Sequence, residues 1–151
     1  MTSTMPDFRY YLRVRYGECD AQRVVFNARW GDFVDVAMGE FLRALGYGDK
    51  LASGELDFQL VKQTTEWRAP ARYDDVLEAT VRAERLGNTS MTLRTEFRIA
   101  GKADLIVTVD TVYVLVDSSL SKRVLPDELR ERLQRGAPDS VVDHAGMSVG
   151  R

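Results

Sequence analysis

Asp20 stands in the small, polar segment Gly17-Glu18-Cys19-Asp20-Ala21-Gln22-Arg23, seven residues before Asn27, where a long apolar-periodic stretch begins. A carboxylate in such a loop can deprotonate water or attack a carbonyl directly. The start of a helix offers unpaired N–H groups and roughly half a positive charge. The same placement also suits a carboxylate that merely caps its own loop, and both readings remain open at this point. Other chemistries lack their residues. The chain has one histidine, His144, in a stretch of Gly, Pro, Ser and Asp, and one cysteine, Cys19. A Ser-His-Asp or Cys-His system needs a histidine held by the fold, and zinc sites draw on several His or Cys ligands. No cofactor or metal is expected. Cys19, without a histidine base, reads as a structural thiol. Glu40 flanks an apolar helical stripe and reads as part of a solvated face. Asp74-Asp75 after Tyr73 reads as turn chemistry.

The elements that must position Asp20 follow from periodicity. Residues Arg9 to Tyr16 alternate, with Tyr10, Leu12, Val14 and Tyr16 on one face, which predicts a half-buried strand. From Ala28 to Leu45 the period changes: Trp30, Phe33, Val34, Ala37, Met38, Phe41, Leu42 and Leu45 form the apolar stripe of one long helix. Asn27 suits its N-cap and Gly46 a left-handed end. Gly31 and Gly39 each cost about 1 kcal/mol relative to Ala, which close packing against a sheet would offset. Strands follow at Phe58 to Ala69, Val76 to Leu86, Ser90 to Ala100 and Leu105 to Val116, the last three joined by short turns and so antiparallel neighbours. A short helix is expected over Asp127 to Arg135. The prediction is one domain over residues 1–135 and a polar C-terminal tail over 136–151, with His144 outside catalysis. One helix cannot cover both faces of such a sheet, so the sheet wraps the helix and its free edge wants a partner.

Composition sets outer bounds. The chain has 151 residues, with 21 Lys and Arg against 23 Asp and Glu, a net charge of -2. That argues against a nucleic-acid binder working through counterion release. No apolar run approaches the length of a membrane span, and the N-terminus lacks the pattern of a signal peptide. A cytoplasmic location is the expectation.

The stretch Arg15 to Trp30, RYGECDAQRVVFNARW, resembles the opening of the hotdog-fold acyl-CoA thioesterases, in particular the 4-hydroxybenzoyl-CoA thioesterase family. The shared pattern is a strand, G-[DE]-x-D, a small loop, [VI]-[VI]-[FWY] and a long helix. Pro70-Ala71-Arg72-Tyr73-Asp74-Asp75-Val76-Leu77 is similar to the family's entry into its third strand, and Glu84 to Thr92 to the hairpin that follows. The resemblance implies an α+β hotdog fold, an antiparallel sheet wrapped around one long central helix. It also implies a homodimer with one continuous sheet and active sites at the interface; dimers can pair into tetramers. It casts Asp20 as the catalytic acid, nucleophile or general base, with the helix start at Asn27 polarising the thioester carbonyl. Asn27 replaces an aromatic residue of the best-known members and would line the acyl pocket.

For the CoA nucleotide the family hairpin supplies basic residues, whereas here it reads Gly87-Asn88-Thr89-Ser90. Arg85, Lys122 and Arg123 are the candidate cations; Asn88, Thr89 and Ser90 are candidate neutral donors. Weak phosphate contacts would also suit an acyl carrier protein as acyl donor. Thr65 and Glu66 could complete a partner's site. Two other readings compete: a non-catalytic hotdog dimer that binds acyl thioesters, and a hotdog dehydratase, which the lack of a core histidine demotes.

Overall fold

A computed structural model describes residues 7–146. Their order is β1 (Phe8–Arg13), a 3-10 turn at Tyr16–Glu18, a second at Asn27–Arg29, α1 (Trp30–Ala44), α2 (Gly48–Ser53), β2 (Asp57–Trp67), β3 (Val76–Leu86), β4 (Ser90–Ile99), β5 (Leu105–Val116), α3 (Asp127–Arg135) and β6 (Val141–Asp143). The strands form one sheet in the order β2-β5-β4-β3-β1-β6, antiparallel throughout except for the parallel β1–β6 pair. This is the hotdog fold.

The alternation decides which face meets α1. Phe8, Tyr10, Leu12 and Val14 turn inward, as do Leu77, Ala79 and Val81 of β3, Met91, Leu93 and Phe97 of β4, and Val107, Val109, Tyr113 and Leu115 of β5. The stripe Trp30, Phe33, Val34, Ala37, Phe41 and Leu42 is buried against them. Trp30 lies edge-on to Phe97 with ring centroids 5.0 Å apart, and Phe41 meets Phe8 at 5.7 Å. Gly46, at φ +97°, ends α1 as expected. Its N–H donates to the Arg43 carbonyl and that of Tyr47 to Leu42, the two bonds of a Schellman ending.

Several expectations need correction. β1 stops at Arg13 because Glu18 pulls the chain into a turn: its carboxylate accepts from the Arg15 backbone N–H at 2.7 Å and from the Arg15 guanidinium at 2.8 and 3.0 Å. Tyr16 is consequently 81% exposed rather than inward. Asn27 is not the N-cap of α1; it opens the 3-10 turn that precedes the helix, and its side chain caps nothing. Gly39 has open space where a Cβ would stand, so no close approach within the protomer explains it. Of the segment 136–151, expected as a tail, Val141–Asp143 forms β6 on the edge of β1, and 147–151 lie outside the described residues. Short elements such as α2 and β6 hold too few residues for a period to show.

On the outer sheet face, Arg94 and Asp110 are cross-strand partners joined by two bonds of 2.8 and 2.9 Å. The Arg94 hydrogen bond holds the Asp110 carboxyl below the usual carboxylate range. A depressed folded pKa adds stability that is present above the unfolded value near 3.9 and is lost as pH falls through the lower folded one. Asp110→Asn should therefore lower the unfolding free energy at pH 7 by about 0.5–1 kcal/mol, the worth of a half-exposed pair. In urea titrations the gap from wild type should close as the pH drops below about 4; an equal gap at pH 7 and in acid would contradict this.

Candidate active site

The loop that carries Asp20 is a hairpin. The Asp20 N–H donates to the Val24 carbonyl at 2.9 Å, that of Arg23 to the Asp20 carbonyl at 2.9 Å, and that of Phe26 to the Glu18 carbonyl at 3.0 Å. Arg23 takes the left-handed conformation, φ +66°, to make the bend. The hairpin is tied to the β3 entry, where the Val25 N–H donates to the Ala71 carbonyl and that of Tyr73 to Arg23. Asp74, at φ +72°, and Asp75, whose carboxylate accepts the Arg72 N–H at 2.8 Å, shape that entry, so this acidic pair is turn chemistry as expected. The first two family-like stretches, Arg15 to Trp30 and Pro70 to Leu77, thus pin each other.

One oxygen of Asp20 accepts the Gln22 N–H at 2.8 Å, and the other has no protein donor among the described residues. The side chain is exposed in a pocket of about 580 Å3 with Tyr16, Cys19, Ala21, Arg23 and Tyr73. Tyr16 and Tyr73 meet edge to face at 5.8 Å. Arg23 makes no ion pair among the described residues. The Cys19 thiol lies 3.7 Å from the Arg15 carbonyl, and burial, reinforced by Glu18 and Asp20, pushes its pKa up. It is a poorer nucleophile than a free cysteine, in keeping with its structural reading.

Asn27 lines a neighbouring pocket of about 280 Å3 with Val24, Val25, Trp30, Trp67 and Arg68. Asp20 is not in its wall, so the two candidate catalytic residues flank the same hairpin without sharing a pocket in one protomer. The start of the helical segment has no side-chain cap among the described residues; the Arg29 N–H is taken by the Phe26 carbonyl at 2.8 Å, and the Asn27 and Ala28 N–H groups are the ones left for a ligand.

The candidate CoA residues sit elsewhere. The carbonyl of Asn88 accepts the Leu125 N–H and that of Thr89 the Leu115 N–H. The first bond joins the β3–β4 hairpin, with Ser90, to the 122–125 segment, and the second joins it to β5. Arg123 is committed to the Glu55 carbonyl at 3.1 Å, while Arg85 and Lys122 are exposed. All lie at the opposite end of β3 from Ala71–Asp75 and Asp20. Eleven strand residues separate the two ends by about 34 Å, so one protomer does not bring them together. Thr65 and Glu66 lie on the free edge strand β2, with Glu66 paired to Arg68 at 3.7 Å.

Two features escaped the sequence reading. Glu40 is largely shielded, its side chain 17% exposed and paired with Arg43 at 3.4 Å, so it is not a solvated face. Between α1 and β2 lies a polar cluster. Burial, then the Asp32 charge, pushes the Asp35 carboxyl up. The buried Tyr113 hydroxyl, without a partner among the described residues, is pushed up by burial and then by Asp35. Gln63 donates to Thr111 at 3.1 Å. The available signal was polar residues at inward positions of β5, where the alternation is otherwise apolar.

The sheet, the wrapped helix and the acid-bearing hairpin define a hotdog-fold protein of the thioesterase type. Residues 14–133 match the model of the thioesterase-like superfamily, and the chain belongs to that superfamily. Over 124 residues, 81% of this chain and 92% of the relative, it is 31% identical to the acyl-CoA thioester hydrolase YbgC of Escherichia coli. It is 25% identical to the 1,4-dihydroxy-2-naphthoyl-CoA hydrolase of Synechococcus elongatus over 86% of this chain and 97% of that one. The 4-hydroxybenzoyl-CoA thioesterase structure from Pseudomonas sp. strain CBS-3 superposes with a TM-score of 0.72 at 18% identity, covering 82% of this chain and 96% of that one. At that identity the last likeness speaks to the fold.

Proposed function

We propose that this chain hydrolyses acyl-CoA thioesters to the free acid and CoA, with Asp20 as the acid that initiates attack. The observation that carries the reading is the Asp20 hairpin: an exposed carboxylate with one oxygen unengaged, tied to the entry of a helix whose first amides no side chain caps. The relatives' activities support the same substrate class. Thioester hydrolysis needs a water or carboxylate nucleophile and donors for the oxygen that becomes negative. Asp20 supplies the first, either as base toward water or by direct attack, giving an anhydride that water then opens. The N–H groups of Asn27 and Ala28, at the start of the helical segment, supply the second. No step calls on a metal or cofactor.

The complete site takes two copies of the chain. β2 is an eleven-residue edge strand with Leu60, Val61 and Trp67 about half exposed, an edge built for pairing rather than for solvent. A second copy along β2 would stand beside the Asn27–Trp67 pocket and bring groups that one protomer keeps about 34 Å from Asp20. This reading makes the protein a homodimer at least. CoA and acyl carrier protein donors are both open to it, and a cytoplasmic location accords with those substrates.

A panel of aliphatic and aromatic acyl-CoA and acyl-carrier-protein thioesters, followed by free-thiol release, tests the proposal. Turnover of at least one is expected. Saturable binding without thiol release would favour a binding module instead.

A further inference from the structure

The sheet has two edges, and the chain treats them in opposite ways. β2 is left long and bare. β1 is covered by β6, in a segment that lies beyond the residues matched by the superfamily model. The cover is short and firmly held. The Arg9 N–H donates to the Ser140 carbonyl at 3.1 Å, and the His144 N–H to the Tyr11 carbonyl at 2.9 Å. The Tyr10 hydroxyl and His144 Nδ1 are 3.0 Å apart, with the rings edge to face. Arg13 Nε donates to the Ala145 carbonyl at 3.1 Å. Ala137 and Ala145 are buried at its two ends.

Its bounds are equally deliberate. Asp139 at φ +66° and Gly146 at φ +70° turn the chain in and out, and the Asp143 carboxylate accepts the Ala145 N–H at 2.8 Å. Only three residues remain in strand, one of them charged. Short edge strands with charge at the rim are how sheets resist further pairing.

We propose that Ala137–Ala145 is an edge guard: it occupies the β1 edge that would otherwise take a strand from a second copy of this chain, and so restricts association to β2. With both edges open, one copy's β1 could pair with another's β2 in a head-to-tail series that does not close. With β1 covered, pairing through β2 stops at two. The guard needs no catalytic role for His144, whose ring anchors the strap to Tyr10.

The experiment compares the full chain with a form ending at Gly136, by sedimentation over a range of concentrations, with circular dichroism and melting to establish that each is folded. The mass of the full chain should stay constant above its dimer constant. The mass of the shortened chain should keep rising with concentration. Val142→Pro in the full chain removes a strap donor to β1 while retaining Ala137 and Ala145, and carries the test if the deletion does not fold. Because Arg9 and Tyr11 bond outward to the strap, the Tyr11 N–H faces the edge and not β3. Tyr11→Pro added to either variant should then abolish the growth, since proline denies the edge a donor. A folded strap variant whose mass is as constant as the full chain's would overturn the proposal. So would growth that persists with Tyr11→Pro, which would assign it to exposed apolar surface instead.

Discussion

Replacing Asp20 by Asn should reduce turnover of the best acyl-CoA substrate by about 10²–10⁴-fold, the usual worth of a general base. The structure adds a reason to expect the fold to survive. Asn keeps an oxygen where Asp20 accepts the Gln22 N–H, so the hairpin retains its turn while the negative charge is lost. KM and the melting temperature should stay close to wild type. Asp20→Glu keeps the charge but displaces the oxygen by a methylene, and small misplacements of a reacting group are costly; it too should be slow. Steady-state kinetics on the three proteins decides. Near wild-type kcat in Asp20→Asn would remove this residue from the chemistry and turn attention to Asp35, whose carboxyl is pushed up.

The second large effect concerns the free edge. Val61, 56% exposed at the irregular position of β2, is the apolar residue best placed to meet a second copy. Val61→Asp puts a carboxylate there in both copies, near the two-fold axis of an antiparallel pairing. The dimer constant should weaken by about 30-fold or more, the range of an interface hot spot. Activity per chain should fall with it and recover as protein concentration rises. Sedimentation and a concentration series of rates check both. A dimer of unchanged strength would place the interface elsewhere, and full activity in a demonstrable monomer would show that one protomer holds a complete site.

What the sequence made legible was governed by period and by turn chemistry. The stripe from Trp30 to Leu42 and the alternation of β3 and β4 are long enough to declare themselves, and Gly46 marked the helix end correctly. The β1 boundary did not show, because it depends on Glu18 closing onto Arg15, an interaction with no periodic trace. Asn27 misled for a related reason: it has the right chemistry for a cap, but it is the first residue of a 3-10 turn through which the chain enters α1 at Trp30. β6 was invisible because its three residues pair with β1 some 130 positions earlier. Asp20 became a candidate through the resemblance of its loop, and that it sits in a hairpin was not visible in the sequence. Arg85, Asn88, Thr89 and Ser90 fall at one hairpin in the sequence, with Lys122 and Arg123 beyond the last strand, but their distance from Asp20 is a property of the sheet. Gln63, Thr111 and Tyr113 converge only because β2 and β5 are neighbours.

The most direct test of the account is the rate of CoA release by the purified full chain from its best acyl-CoA substrate, measured beside Asp20→Asn at protein concentrations that hold both as dimers. Saturable release by the wild type is expected, with a loss of about 10²-fold or more in the variant at similar KM. Equal rates from the two proteins, or no release by the wild type from any acyl-CoA thioester, would contradict it.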